Sequence, residues 1–169
     1  MKSSTQHLAF LAMFTSVAII FGYVEHLFPI VPSNPFIKLG LANLAVLFIL
    51  NKYSLKDAAL VSCVRIIVVN TIFGTFSAMI WAFAGAALSL LVMAALLRYT
   101  DLSLIGISVA GGVAHNIGQL IADALIVQNP HILRLFPILI VTGIITGLLI
   151  GYLTQEVSRR VHVEGEKKR

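Results

Sequence analysis

Residues 34–50 read NPFIKLGLANLAVLFIL, an apolar run suited to lipid that nevertheless carries Lys38 near its start and Asn43 further in. Pro29, Pro32 and Pro35 crowd its approach. From residue 36 to residue 50 the run has about 15 residues at about 1.5 Å each, short for a membrane helix. It therefore either enters at a tilt from a structured loop or sits behind other helices where the bilayer is thinned. In both cases its lysine must be solvated or paired, and that requirement marks the region for local function.

The rest of the chain shares this character. Of 169 residues, 59% are hydrophobic and 11% charged, and the mean hydropathy of +0.97 exceeds what a soluble core can absorb. Apolar runs cover 8–28, 36–50, 55–73, 77–97, 103–127 and 133–154, which gives six expected spans. Lipid does not tolerate unpaired backbone amides, and runs this continuous lack the alternation of a barrel. The expected fold class is an all-α integral membrane protein, a six-transmembrane-helix bundle. It is expected as one domain over 1–158, followed by a basic cytoplasmic tail over 159–169. The first run lacks a small-residue cleavage site and is kept as a span. Cys63 has no second cysteine to pair with.

Charge sets the orientation. Lys2, Lys52, Lys56, Arg98, Arg159, Arg160, Lys167, Lys168 and Arg169 fall on one side of a six-span layout, against Lys38 and Arg134 on the other. The positive-inside bias then places both termini in the cytoplasm of a multi-pass protein of the cell membrane. The pI of about 9.7 follows from this topology and does not imply nucleic acid.

Within the spans the polar residues are Glu25, Lys38, Asn43, Arg65, Asn70, His115, Asn116, Gln119 and Asp123. A charge at the bilayer centre costs about 2.5–3.5 kcal/mol on insertion scales, so each needs a partner, water or a ligand. Counted along alternating helices, all nine fall between the midplane and the outer face. His115, Asn116, Gln119 and Asp123 form one stripe at helical spacing. Beside it run Ala110, Ala114, Gly118 and Ala122, and span six repeats the device with Gly143, Gly147 and Gly151. Small residues at this spacing let helices approach closely. Structural roles are open for several of the polar groups: Lys38 and Glu25 as a pair or at the interface, Arg65 bridged to Glu25 or Asp123, and His115 bonded to Asn116 or a carbonyl. Phe73, Phe76, Trp81 and Phe83 suit either interfacial anchors or flat cavity walls.

Lysine, arginine and histidine around one cavity match a carboxylate or phosphate better than a cation. No phosphate loop, zinc-protease motif, cysteine cluster or paired aspartate motif is present, which argues against catalysis by this chain alone and implies no cofactor or metal. The expected ligand-binding residues are Glu25, Lys38, Asn43, Arg65, His115, Asn116 and Gln119.

YVE (23–25), IKLGLANLAVLF (37–48), VRIIVVNTIFGTFS (64–77), AGAALSLLVM (84–93), GVAHNIGQLIADAL (112–125) and FPILIVTGIITGLLIG (136–151) together resemble the family described as heptaprenyl diphosphate synthase component I, also called the Gx transporter family. In size and layout that family is similar to the substrate-binding S components of energy-coupling factor transporters. The resemblance implies a small anionic, amphipathic substrate captured from outside, and a T subunit with two ATPase subunits as partners. It also implies a docking face on the first span at Ala9, Ala12 and Ser16, where serine replaces the second alanine of the family pattern. The expected function is thus that of an S component. The alternative is a membrane accessory subunit of a heptaprenyl or other polyprenyl diphosphate synthase.

Overall fold

The computed structural model describes residues 4–28, 39–128 and 130–161. Among them are six α-helices and one 3₁₀ helix, and no strand: α1 (Ser4–Leu27), α2 (Leu41–Lys52), α3 (Leu55–Phe73), α4 (Phe76–Tyr99), α5 (Leu104–Val127), the 3₁₀ helix Pro130–Leu135, and α6 (Phe136–Arg160). Connections of two residues between α2 and α3 and between α3 and α4 leave no room for a crossover, so successive helices run antiparallel. Side-chain caps mark three starts: Ser54 accepts from the Asp57 amide, Thr75 from Ala78 and Ser103 from Gly106. Each such cap stabilises its helix by about 1 kcal/mol.

Four segments are long and apolar enough to cross a membrane: Thr5–Leu27, Phe76–Tyr99, Leu104–Val127 and His131–Arg160. The chain is accordingly a multi-pass membrane protein. Helix α3 has 19 residues but carries Lys56, Asp57 and Arg65. Helix α2 departs most from expectation. It begins at Leu41 and not near residue 36, after Gly40 takes a left-handed backbone (φ 75°) that a side chain would strain. Residues 36–38 lie outside the described residues. With 12 residues, α2 is about 18 Å long and falls short of a hydrocarbon layer about 30 Å thick.

Its surroundings explain how so short a helix is housed. Ala42 and every residue from Leu44 to Leu50 are buried, Phe48 and Ile49 completely. The Phe48 ring stacks on Phe14 of α1 at 4.6 Å and 5° between planes. Leu90 and Met93 of α4 and Ile107 of α5 complete the same cluster. Of the two arrangements open to this segment, the structure shows the one behind other helices.

Around α2 the long helices pack through their small residues. A Cβ on Gly147 would lie 2.6 Å from Val109 Cα, and one on Gly151 2.7 Å from Ile105 Cα. The glycine line of α6 therefore rests directly on the α5 backbone, as its spacing predicts. On the opposite side of α5, Gly118 meets the Ala84 carbonyl of α4, 2.6 Å from where a Cβ would sit. Ala114 is buried with it, whereas Ala110 and Ala122 are only half-buried, so the expected four-residue stripe of α5 narrows to its middle.

Ring and ion contacts fix the directions. His7 Nε2 lies 3.2 Å from Asp57 Oδ1 at one end of the α1–α3 pair, and Tyr23 and Phe73 lie 4.6 Å apart at the other, so α1 and α3 are parallel. Lys52, Lys56, Arg98, Arg159 and Arg160 thus gather at the end formed by the N-termini of α1, α3 and α5.

Candidate ligand-binding cavity

At the end of the bundle away from those basic residues lies a cavity of about 80 Å³, to which all six α-helices contribute. From α1 come Gly22, Glu25 and His26; from α2 and its approach, Gly40 and Asn43; from α3, Arg65, Ile66, Val69 and Asn70, with Gly74 just beyond. Helix α4 gives Ala82, α5 gives Gly112, His115, Asn116 and Gln119, and α6 gives Thr146. The exposed His26 and Gly74 stand at its mouth. The volume holds roughly five or six water molecules, or the polar head of a larger molecule. A second hollow of about 30 Å³ adjoins it, sharing Gly40, Asn43, Gly112 and Thr146 and continuing to Leu47, Met93 and Ile150.

The structure brings Glu25, Asn43, Arg65, His115, Asn116 and Gln119 into one wall, and adds Asn70. Lys38 lies outside the described residues. Asp123, expected on the same stripe, is buried but does not reach the cavity. It sits one helical turn past Gln119. Phe73, Phe76, Trp81 and Phe83 form no part of the wall; Phe73 packs instead on Tyr23 and His26, and Phe76 is 73% exposed. Ala9, Ala12 and Ser16 also lie elsewhere, exposed along α1, with Ser16 Oγ donating to Ala12 O at 3.0 Å.

Several wall residues already have structural work. Asn116 Nδ2 donates to the Leu139 carbonyl of α6 at 2.7 Å and approaches Thr142 Oγ1 at 3.4 Å, which ties α5 to α6. Asn70 Nδ2 donates to Ile66 O on its own helix at 2.8 Å. Glu25 accepts the Leu41 amide at 2.5 Å, so a carboxylate on α1 caps the buried start of α2 where a favourable helix dipole also points. Glu25 is also the carboxylate whose charge acts on Arg65. Among the described residues of its wall, Arg65 and Glu25 are the arginine and the carboxylate.

In this wall Arg65 Nε and Gln119 Oε1 have no hydrogen-bond partner among the described residues. Sequence reasoning missed His26, Gly40, Gly112 and Thr146. Small and neutral groups stand out only once the neighbouring helix is in place. It also missed Gly85, whose absent side chain matters: a Cβ there would lie 2.8 Å from both His115 O and Gln119 Cγ. Helix α4 thus presses its backbone against two of the α5 residues that line the cavity, His115 and Gln119.

A family model described as heptaprenyl diphosphate synthase component I matches residues 14–157. The chain belongs to this family. The component I match contains every residue of the cavity wall, together with α2 to α5 in full and Ser16, whereas Ala9 and Ala12 precede it. No curated protein and no solved structure matches the chain.

Proposed function

We propose that the chain is a non-catalytic, membrane-embedded binding subunit, component I of a polyprenyl diphosphate synthase assembly, which holds the polar head of an amphipathic molecule while a soluble partner carries out the chemistry. The observation that carries this reading is a polar cavity with Arg65 Nε unpartnered among the described residues of its wall, in a chain whose family description names a synthase component. An arginine donor that the fold leaves open in a partly apolar enclosure is a recognition group for an acidic or carbonyl head. The test is affinity purification of the whole chain from its own membranes. Recovery of a soluble, aspartate-rich prenyltransferase whose turnover rises in the complex supports the reading, and a partner-free chain without effect on that turnover rejects it.

A second reading has an observation of its own. The cavity opens at the end opposite Lys52, Lys56, Arg98, Arg159 and Arg160, and the positive-inside bias makes that end external. A site facing outward suits uptake, in which the chain acts as an S component with six spans, both termini and the tail 159–169 in the cytoplasm, docked through Ala9, Ala12 and Ser16 on a T subunit and two ATPases. Release then requires a second state with weaker affinity, supplied by the partner. Recovery of ATPase subunits in the same purification selects this reading.

A further inference from the structure

Gln119 is 6% exposed, and its Oε1 has no hydrogen-bond partner among the described residues. Gly85 of α4 lies against its Cγ and confines the stem of the side chain. A carboxamide in this position offers an acceptor and, on the same edge, a donor. Arg65 Nε adds a further open donor to the same cavity. Buried polar groups left unmatched are costly, and a ligand that supplies both complements relieves that cost.

The open acceptor narrows the choice. An ionised diphosphate presents acceptors and no donor, so it can accept from Arg65 Nε but leaves Gln119 Oε1 unmatched.

From these observations, and resting on the reading of the cavity as a ligand site, we propose that its ligand has a head with a hydrogen-bond acceptor beside a donor: a primary amide, an imide or a singly protonated acid, and not an ionised diphosphate. The head pairs edge to edge with Gln119 and accepts from Arg65. The adjoining hollow at Leu47, Met93 and Ile150 takes a short apolar substituent, and any longer tail leaves through the mouth.

Three farnesyl-tailed probes test this on the purified whole chain by calorimetric titration in detergent: a primary carboxamide, its N,N-dimethyl counterpart and farnesyl diphosphate. The primary amide is expected to bind roughly tenfold or more tightly than the dimethyl form, the usual worth of a buried hydrogen bond left unmade, and more tightly than the diphosphate. Gln119→Met, similar in size and without the polar edge, is expected to abolish the preference between the two amides. The comparison of probes on the unaltered protein stands by itself if that variant fails to fold. Equal affinity for both amides, tightest binding of the diphosphate, or a preference that survives Gln119→Met overturns the proposal. Binding of none of the probes overturns it too. The component reading fails separately, on the absence of a prenyltransferase from the purified complex.

Discussion

Two substitutions of the same kind on the same helix are expected to act with opposite sign. In Gly118→Ala the new Cβ arrives 2.6 Å from Ala84 O and 3.0 Å from Gly85 Cα, both backbone atoms of α4 that cannot rotate aside. Restoring ordinary contact requires α4 and α5 to separate by about 0.8 Å, enough to forfeit a quarter to a half of the dispersion energy along the seam. Overpacking of this kind costs about 1–3 kcal/mol, from which the helix preference of alanine over glycine returns about 1. In Gly106→Ala the nearest atom is Ser103 Oγ at 3.6 Å, so the methyl meets only ordinary contact. There the helix preference acts unopposed and stabilises by about 0.4–1 kcal/mol. Reversible unfolding in mixed micelles of mild detergent and dodecyl sulfate, followed by far-ultraviolet circular dichroism, reads the difference. Gly118→Ala is expected to unfold at the lower dodecyl sulfate fraction and Gly106→Ala at or above that of the parent. Equal midpoints for the two variants would refute backbone contact between α4 and α5 at this position.

Arg65→Ala is expected to remove copurified small molecules from the gently extracted protein while leaving its helix content unchanged, since Glu25 still caps α2 through the Leu41 amide; native mass spectrometry with unaltered cargo would reject a role for the arginine in binding. Asn116→Ala breaks the bond to Leu139 O and is expected to destabilise the α5–α6 pair by about 0.6 kcal/mol, and by no more than about 1.7, the mean and maximum for hydrogen bonds between membrane helices, measured by the same micelle titration. The Tyr53 phenol, between α2 and α3, is held above the ordinary tyrosine pKa, by burial first and by the Asp57 charge second. Because the folded value is raised, this contribution to stability is complete below the unfolded tyrosine pKa and is lost as pH climbs through the folded one. Ultraviolet difference titration is expected to place Tyr53 above free tyrosine and to show Asp57→Asn lowering its midpoint, and a midpoint at or below that of free tyrosine would contradict it.

The sequence carried more of the helices than of their mutual register. The run at 55–73 became α3 without change and the run at 103–127 became α5 within a residue, because charged or capping residues bound both. The start of α2 was not legible. Residues 36–40 are mostly apolar, like residues 41–50, and only the left-handed backbone at Gly40 separates the helix from its approach. Convergence of Arg65, His115, Asn116 and Gln119 on one space follows from the cost of isolated polar groups in lipid, a constraint that any sequence of this kind displays. What each polar group does after arrival depends on contacts between helices. Asn116 reaches a carbonyl 23 positions away and Glu25 an amide 16 positions away, and no spacing rule within one helix encodes either bond. Asp123 shows the limit of the stripe argument: one more turn along α5 carries it past the cavity into a buried place of its own.

The shortness of α2 also bears on how the chain is made. A segment of 12 residues cannot lodge across the bilayer alone as it leaves the ribosome. It has to be held by a neighbour already inserted, and Phe14 and Glu25 on α1 are the groups placed to receive its two ends. Biogenesis is therefore expected to be ordered: a nascent chain ending after α2 should retain that helix only while α1 is present, and the pocket, to which α5 and α6 also contribute, should be completed when they arrive.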